Sequence, residues 1–192
     1  MAIEYEWKFR ASEAVQAAIA QALTGPRQQI AMQTTYYDTP NGALSSLRYT
    51  LRQRLENNLS VCTLKTPAQE GRREWEVVSD EIQAAIPLLI AAGAPKELAR
   101  LTQDGLLPIC GARFNRTAIT VDLPEGTVEV ALDRGVLLGG GREVPLWEAE
   151  MELKDGAPAV CDRFARELAD RFALIPEMKS KFARARALYQ GE

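Results

Sequence analysis

No histidine occurs in the 192 residues. That removes the Ser-His-Asp and Cys-His schemes of nucleophilic catalysis and all imidazole metal sites, so any chemistry must run on carboxylates, Lys, Arg, Tyr or a bound metal. Cysteine is scarce: Cys62, Cys110 and Cys161 are odd in number, widely spaced and without a CxxC. This pattern argues against a disulfide framework or a thiolate zinc site and fits a reducing compartment, the cytoplasm. Long apolar runs are missing as well. The best candidate, "IQAAIPLLIAAGAP", is interrupted by Pro87, no stretch spans a bilayer, and the start of the chain does not read as a signal peptide. Nor is there an excess of positive charge, since 23 Lys and Arg against 26 Asp and Glu leave a formal −3. Neither a nucleic acid nor a membrane is expected as a partner, and any anion-binding function needs local clusters of Arg and Lys.

What is present is the make-up of one globular domain over residues 1–192, with 46% hydrophobic and 26% charged residues. The periodicity predicts a strand over 2–10, then a helix capped by Ser12 and running to about Leu23. A strand through "QQIAMQTTYYDT" ends in "DTPNG", where Asp38 and Pro40 have local reasons to be present. Strands follow at 47–56, 59–66 and 72–79, a helical insert at 80–107, and strands at 112–123, 127–138 and 143–153. A helix opening at "DGAP" and a short basic helix at 178–190 complete an α+β chain of about eight strands.

The strands share an unusual feature. "EYEWKF" puts Glu4, Glu6 and Lys8 opposite Tyr5, Trp7 and Phe9, and "RYTLRQRLE" puts Arg52 and Arg54 opposite Leu51 and Leu55. "WEAEMELK" sets Glu148, Glu150 and Glu152 opposite Trp147, Met151 and Leu153. A sheet with one face under helices and one in water shows the same alternation. Segregation by sign is less ordinary, because like charges two residues apart stand about 7 Å from each other. Such a pair costs about 0.6 kcal/mol in water but about 2.4 kcal/mol at an effective dielectric of 20. Inside a cavity these groups need counter-ions. The carboxylates Glu4, Glu6, Asp133, Glu150 and Glu152 suit a hard cation such as Mg²⁺ or Mn²⁺. Lys8, Arg52, Arg54, Lys65 and Arg116 suit a polyanion with several phosphates. If the sheet closes into a barrel, the charged face is its lining; if it stays open, that face is solvated.

Taken in order, "EYEWK", "YYDTP", "LRQR", "TLKTP", "REWE", "EVALDRG", "EAEMELKDG" and "KSKFARA" resemble the CYTH, or triphosphate tunnel metalloenzyme, family over nearly the whole chain. The resemblance implies a closed, eight-stranded antiparallel β-barrel with a charged interior, flanked by helices, that hydrolyses or cyclises a triphosphate with Mg²⁺ or Mn²⁺. By position, Glu4, Glu6 and Glu152 would hold the metal, while Asp133 and Glu150, with Glu148, would place a second metal or the attacking water. Lys8, Arg52, Arg54, Lys65 and Arg116 would grip phosphate oxygens, joined by Lys179, Lys181 or Arg184 from the last helix. Arg113 falls on the opposite strand face from Arg116. The expected activity is conversion of inorganic triphosphate to pyrophosphate and phosphate. Adenylyl cyclase, thiamine or nucleoside triphosphatase and a non-catalytic polyphosphate-binding module remain alternatives, and a homodimer is left open.

Overall fold

The computed structural model describes residues 2–3, 5–69 and 71–191, so Glu4 lies outside the described residues. The chain runs β1 (Ala2–Ile3), β2 (Glu6–Arg10), α1 (Glu13–Ala22), β3 (Arg27–Asp38), α2 (Ala43–Ser46), β4 (Thr50–Glu56), β5 (Leu59–Pro67) and β6 (Arg72–Val78). It continues with α3 (Ile82–Ala91), α4 (Glu97–Leu101), β7 (Leu107–Leu123), β8 (Gly126–Gly139), β9 (Arg142–Gly156), α5 (Pro158–Phe172), β10 (Ile175–Pro176) and α6 (Lys181–Gln190). Ser12 caps α1 as expected, its hydroxyl accepting from the Val15 amide, and Ser180 does the same for α6 through Ala183.

The closed eight-stranded barrel is not what forms. Ten strands make one antiparallel sheet in the order β1-β6-β5-β4-β3-β7-β8-β9-β2-β10, which is open. The reason lies in the first strand, which splits its pairing: β1 bonds to β6 at one end of the sheet, and β2 bonds to β9 near the other. Because only Glu4 and Tyr5 separate these segments in the chain, the sheet rolls until its ends approach. No continuous ladder joins them among the described residues, since β1 is two residues long.

Two apolar clusters pack helices onto the outer face. Phe9, Met151, Ile119 and Val130 meet Ile19 of α1 and Cys161 and Leu168 of α5. Leu51, Leu64 and Trp75 meet Ile86 and Leu89 of α3 and Leu98 of α4. The third cluster is on the inner face. There Met32, Tyr36, Phe114, Leu137 and Leu146 pack on Ala185 of α6, with Phe182 and Leu188 beside them. The last helix therefore fills part of the roll. Gly139 permits its approach, because a Cβ at that position would lie 2.3 Å from the Ala185 carbonyl oxygen.

Two local expectations change. The strand predicted from residue 47 starts at Thr50, because Ala43–Ser46 forms a helical turn and Arg48 takes a left-handed φ of 58°. The Asp38 carboxylate accepts from the Thr39, Leu44 and Ser45 amides at 2.8, 3.0 and 3.2 Å, so it organises that turn. β10 has no periodic signal in a two-residue segment.

Candidate functional site

Alternation along the strands decides which side chains enter the roll. Tyr36 of β3, Arg52 and Arg54 of β4, Lys65 of β5, Arg72 of β6 and Arg116 of β7 line one cavity of about 150 Å³. Glu6 and Lys8 of β2, Glu150 and Glu152 of β9, and Lys181 of α6 line it from the other side. Strands far apart in sheet order contribute to one space, which is the consequence of rolling. Trp75 packs in the outer core and Trp7 against it, while Trp147 lies under the Arg134 guanidinium at 4.9 Å. The aromatic sides of these strands thus face away from the cavity.

Carboxylates stand among the cations of this wall. Glu74 lies 3.1 Å from Lys65 and 3.6 Å from Arg52, and Glu56 lies 3.5 Å from Arg54. Arg54 Nε donates to Thr34 Oγ1 at 3.1 Å, whereas the buried Arg52 Nε has no hydrogen-bond partner among the described residues. Burial, together with the neighbouring Arg52 and Arg116, pushes the Arg54 guanidinium down to about 10. An anion placed here would relieve that repulsion.

The acidic wall has two depths. At the outer depth, Glu6 is the register partner of Glu152, and Lys8 of Glu150. Lys8 Nζ donates to Glu6 at 2.8 Å, and Lys154 lies 2.9 Å from Glu152. Burial works against the Lys8 ammonium, but Glu6 and Glu150 more than offset it and raise its pKa. At the inner depth, oxygens of Asp133, Glu148 and Glu150 lie within 4.8 Å of one another, a carboxylate cluster of the kind that holds a hard cation. Asp133 and Glu148 are completely buried. Arg116 donates in forked fashion to Asp133, with both contacts at 2.7 Å, and to Glu150 at 2.5 Å. Lys181 Nζ lies 2.8 Å from Asp133 and donates to Glu150 at 2.6 Å and to Glu148, which also accepts from Arg184. Burial pushes the Glu148 carboxyl up to about 7. Burial acts in the same sense on Glu150, but Lys181 and Arg116 outweigh it and hold that carboxyl well below the usual range.

Of the substrate-binding residues expected from sequence, Lys8, Arg52, Arg54, Lys65, Arg116 and Lys181 come together in this cavity. Lys179 and Arg184 do not. They line a neighbouring groove of about 870 Å³ with Glu177 and Trp147; Lys179 precedes α6, and Arg184, one turn beyond Lys181, reaches Glu148 from that groove. Glu6, Glu150 and Glu152 line the cavity, while Asp133 and Glu148 sit behind its wall. Arg113 is on the other face, paired with Glu143 at 3.3 Å. Arg72 is an additional lining residue that sequence reasoning missed. It stands two residues before Glu74 in "REWE", so the same alternation carries its signal; it donates to Thr50 Oγ1 at 3.1 Å.

A CYTH domain model matches residues 2–185. Over 134 residues the chain is 32% identical to an inorganic triphosphatase of Haemophilus influenzae, covering 67% of this chain and 38% of that protein. The chain thus spans well under half the length of this relative. Among solved structures, a Hippeastrum protein assigned as an adenylyl cyclase without proof of that activity and described as having a dominant triphosphatase activity superposes with a TM-score of 0.68 at 20% identity, covering 99% and 97% of the two chains. A Pyrococcus horikoshii protein superposes with a TM-score of 0.63 at 18% identity, covering 94% and 97%. At these identities the structural likenesses concern the fold. No helix among the described residues is long and apolar enough to cross a membrane.

Proposed function

We propose that this chain, which belongs to the CYTH domain family, is a divalent-metal-dependent hydrolase that converts inorganic triphosphate to pyrophosphate and phosphate. The observation that carries the reading is the cavity itself, in which Lys8, Arg52, Arg54, Lys65, Arg72 and Arg116 converge on a space of about 150 Å³. The inorganic triphosphatase relative supports the choice of substrate. Nucleotide alternatives fit the lining less well. Its aromatic Tyr36 is 4% exposed and packs on Phe182 with ring centroids 5.0 Å apart, which leaves no free face for stacking a base.

In this reading Lys8, Arg52, Arg54, Lys65 and Arg116 hold the phosphate oxygens and neutralise charge in the transition state, the main demand of phosphoryl transfer. Glu6 and Glu152, with Glu150 beside them, supply the carboxylate oxygens that suit Mg²⁺ or Mn²⁺. A bound ion would add Lewis-acid polarisation of the phosphate oxygens. Glu150 is a weak base, held anionic by Lys181 and Arg116, so it orients the attacking water. Water oxygen bonds to the terminal phosphorus as the bridging P–O bond breaks, the water proton passes to a phosphate oxygen, and pyrophosphate and phosphate leave.

The test is phosphate release from triphosphate, ATP and thiamine triphosphate with Mg²⁺ or Mn²⁺, run beside Arg52→Ala. Release from triphosphate in preference to the other two, abolished in the variant, is the expected result. Tight triphosphate binding without release from any of them would make the chain a binding module.

A further inference from the structure

The inner carboxylates raise a question that a triphosphate site does not answer: what cation belongs among Asp133, Glu148 and Glu150? We propose that it is permanently the Lys181 ammonium, and that this chain binds a divalent ion only at the outer carboxylates Glu6 and Glu152.

An ammonium has three N–H donors and no acceptor. That of Lys181 donates to Glu148 and Glu150 and lies 2.8 Å from Asp133, so all three carboxylates hold it. Three carboxylates face Lys181, Arg116 and Arg184, each of which is ion-paired to at least one of them. A divalent ion entering this cluster would create an excess of buried positive charge unless a lysine or arginine left.

Departure of Lys181 is opposed by its setting. The side chain is 7% exposed and belongs to the first turn of α6, which is capped by Ser180 and anchored by Ala185, Phe182 and Leu188 inside the roll. Expelling the ammonium would cost those contacts, two charged hydrogen bonds and the ion pair with Asp133, while Mg²⁺ dehydrates reluctantly and demands near-octahedral oxygen geometry. The outer pair is different: Glu6 and Glu152 line the open cavity and keep 22% and 27% side-chain exposure. The last helix therefore supplies, as a covalently tethered cation, what a second metal would otherwise supply. Lys181 acts as a positioning residue, holding Glu150 toward the cavity through the ion pair.

This rests on the triphosphatase reading only in that an ion is expected at Glu6 and Glu152. The test is Mn²⁺ binding to the full chain, starting metal-free, followed by loss of the free-ion electron paramagnetic resonance signal. The wild type is expected to bind one ion, with the same stoichiometry in Asp133→Asn and none in Glu6→Gln. Lys181→Met, which vacates the cluster, is expected to bind two, the second lost again in the double variant with Asp133→Asn. Two ions in the wild type, one of them removed by Asp133→Asn or Glu148→Gln, would overturn the proposal even if Lys181→Met does not fold. A wild type that binds no ion overturns the outer-site half of the proposal along with the metal-dependent triphosphatase reading; a gain of one ion in Lys181→Met, lost again with Asp133→Asn, would then still assign the inner cluster to Lys181.

Discussion

Glu6 and Glu152 are direct register partners across the β2–β9 ladder, so two carboxylates from opposite ends of the chain stand on one face of the sheet. Like charges directly opposite each other destabilise a ladder by a few tenths to about 1 kcal/mol. Lys8 and Lys154, at 2.8 and 2.9 Å, offset part of that repulsion. A cation shared by the pair would remove the rest.

From this juxtaposition, Glu152→Gln is expected to leave the metal-free protein as stable as the wild type, within about 1 kcal/mol. The same change should lower Mn²⁺ affinity at least tenfold. Urea unfolding of the metal-free protein and Mn²⁺ titration measure the two effects separately, and a large loss of stability with unchanged affinity would make Glu152 structural.

Arg52→Ala removes a cavity cation whose Nε has no hydrogen-bond partner among the described residues. Charge-assisted hydrogen bonds contribute about 1.5–3 kcal/mol each, so the Kd for triphosphate should rise about 10- to 100-fold. Calorimetric titration with triphosphate in the absence of metal reads this directly. Arg52→Lys is expected to recover only part of the loss, because a point charge lacks the guanidinium fork.

Glu148 gives a pH dependence of defined sign. Its carboxyl titrates at about 7 in the fold against 4.5 for the ordinary group, so between those values the native state holds a proton that the unfolded chain has released. The stabilisation is fully present below about pH 4.5 and is lost as pH rises through about 7, a contribution on the order of 3 kcal/mol. Unfolding midpoints for wild type and Glu148→Gln, compared between about pH 5 and 8, should show the wild type declining more steeply. Parallel curves would remove Glu148 from the titration.

Gly139→Ala would place a Cβ 2.3 Å from the Ala185 oxygen and 2.8 Å from the Tyr189 nitrogen. Backbone cannot yield there cheaply, so a loss of about 1–3 kcal/mol is expected, with Lys181 drawn out of its carboxylates as α6 lifts. Thermal unfolding and proteolysis near the C-terminus would detect this. Gly141→Ala, where a Cβ would meet no atom within 4 Å but φ is 71°, separates the cost of backbone strain from the loss of helix docking.

Much of the site was legible because a strand alternates with a period of two, and that period is local. Glu6 and Lys8, Arg52 and Arg54, and Glu150 and Glu152 each reach the cavity as the alternation of charge predicts. Arg113 falls on the outside for the same reason. The absence of histidine also narrowed the chemistry, leaving carboxylates, Lys, Arg, Tyr or a bound metal.

Which charges would meet was decided only in three dimensions. Whether the sheet closes depends on how one N-terminal strand divides its hydrogen bonds between β6 and β9, and alternation carries no information about pairing partners. The resemblance made Lys181 a phosphate ligand, yet the docking of α6 inside the roll turns it toward Asp133, Glu148 and Glu150. The physical reason is range. Side-chain direction along a strand is set within two residues, whereas the partner of a buried charge is set by packing between segments more than thirty positions apart, as in the |i−j| of 33 between Lys181 and Glu148.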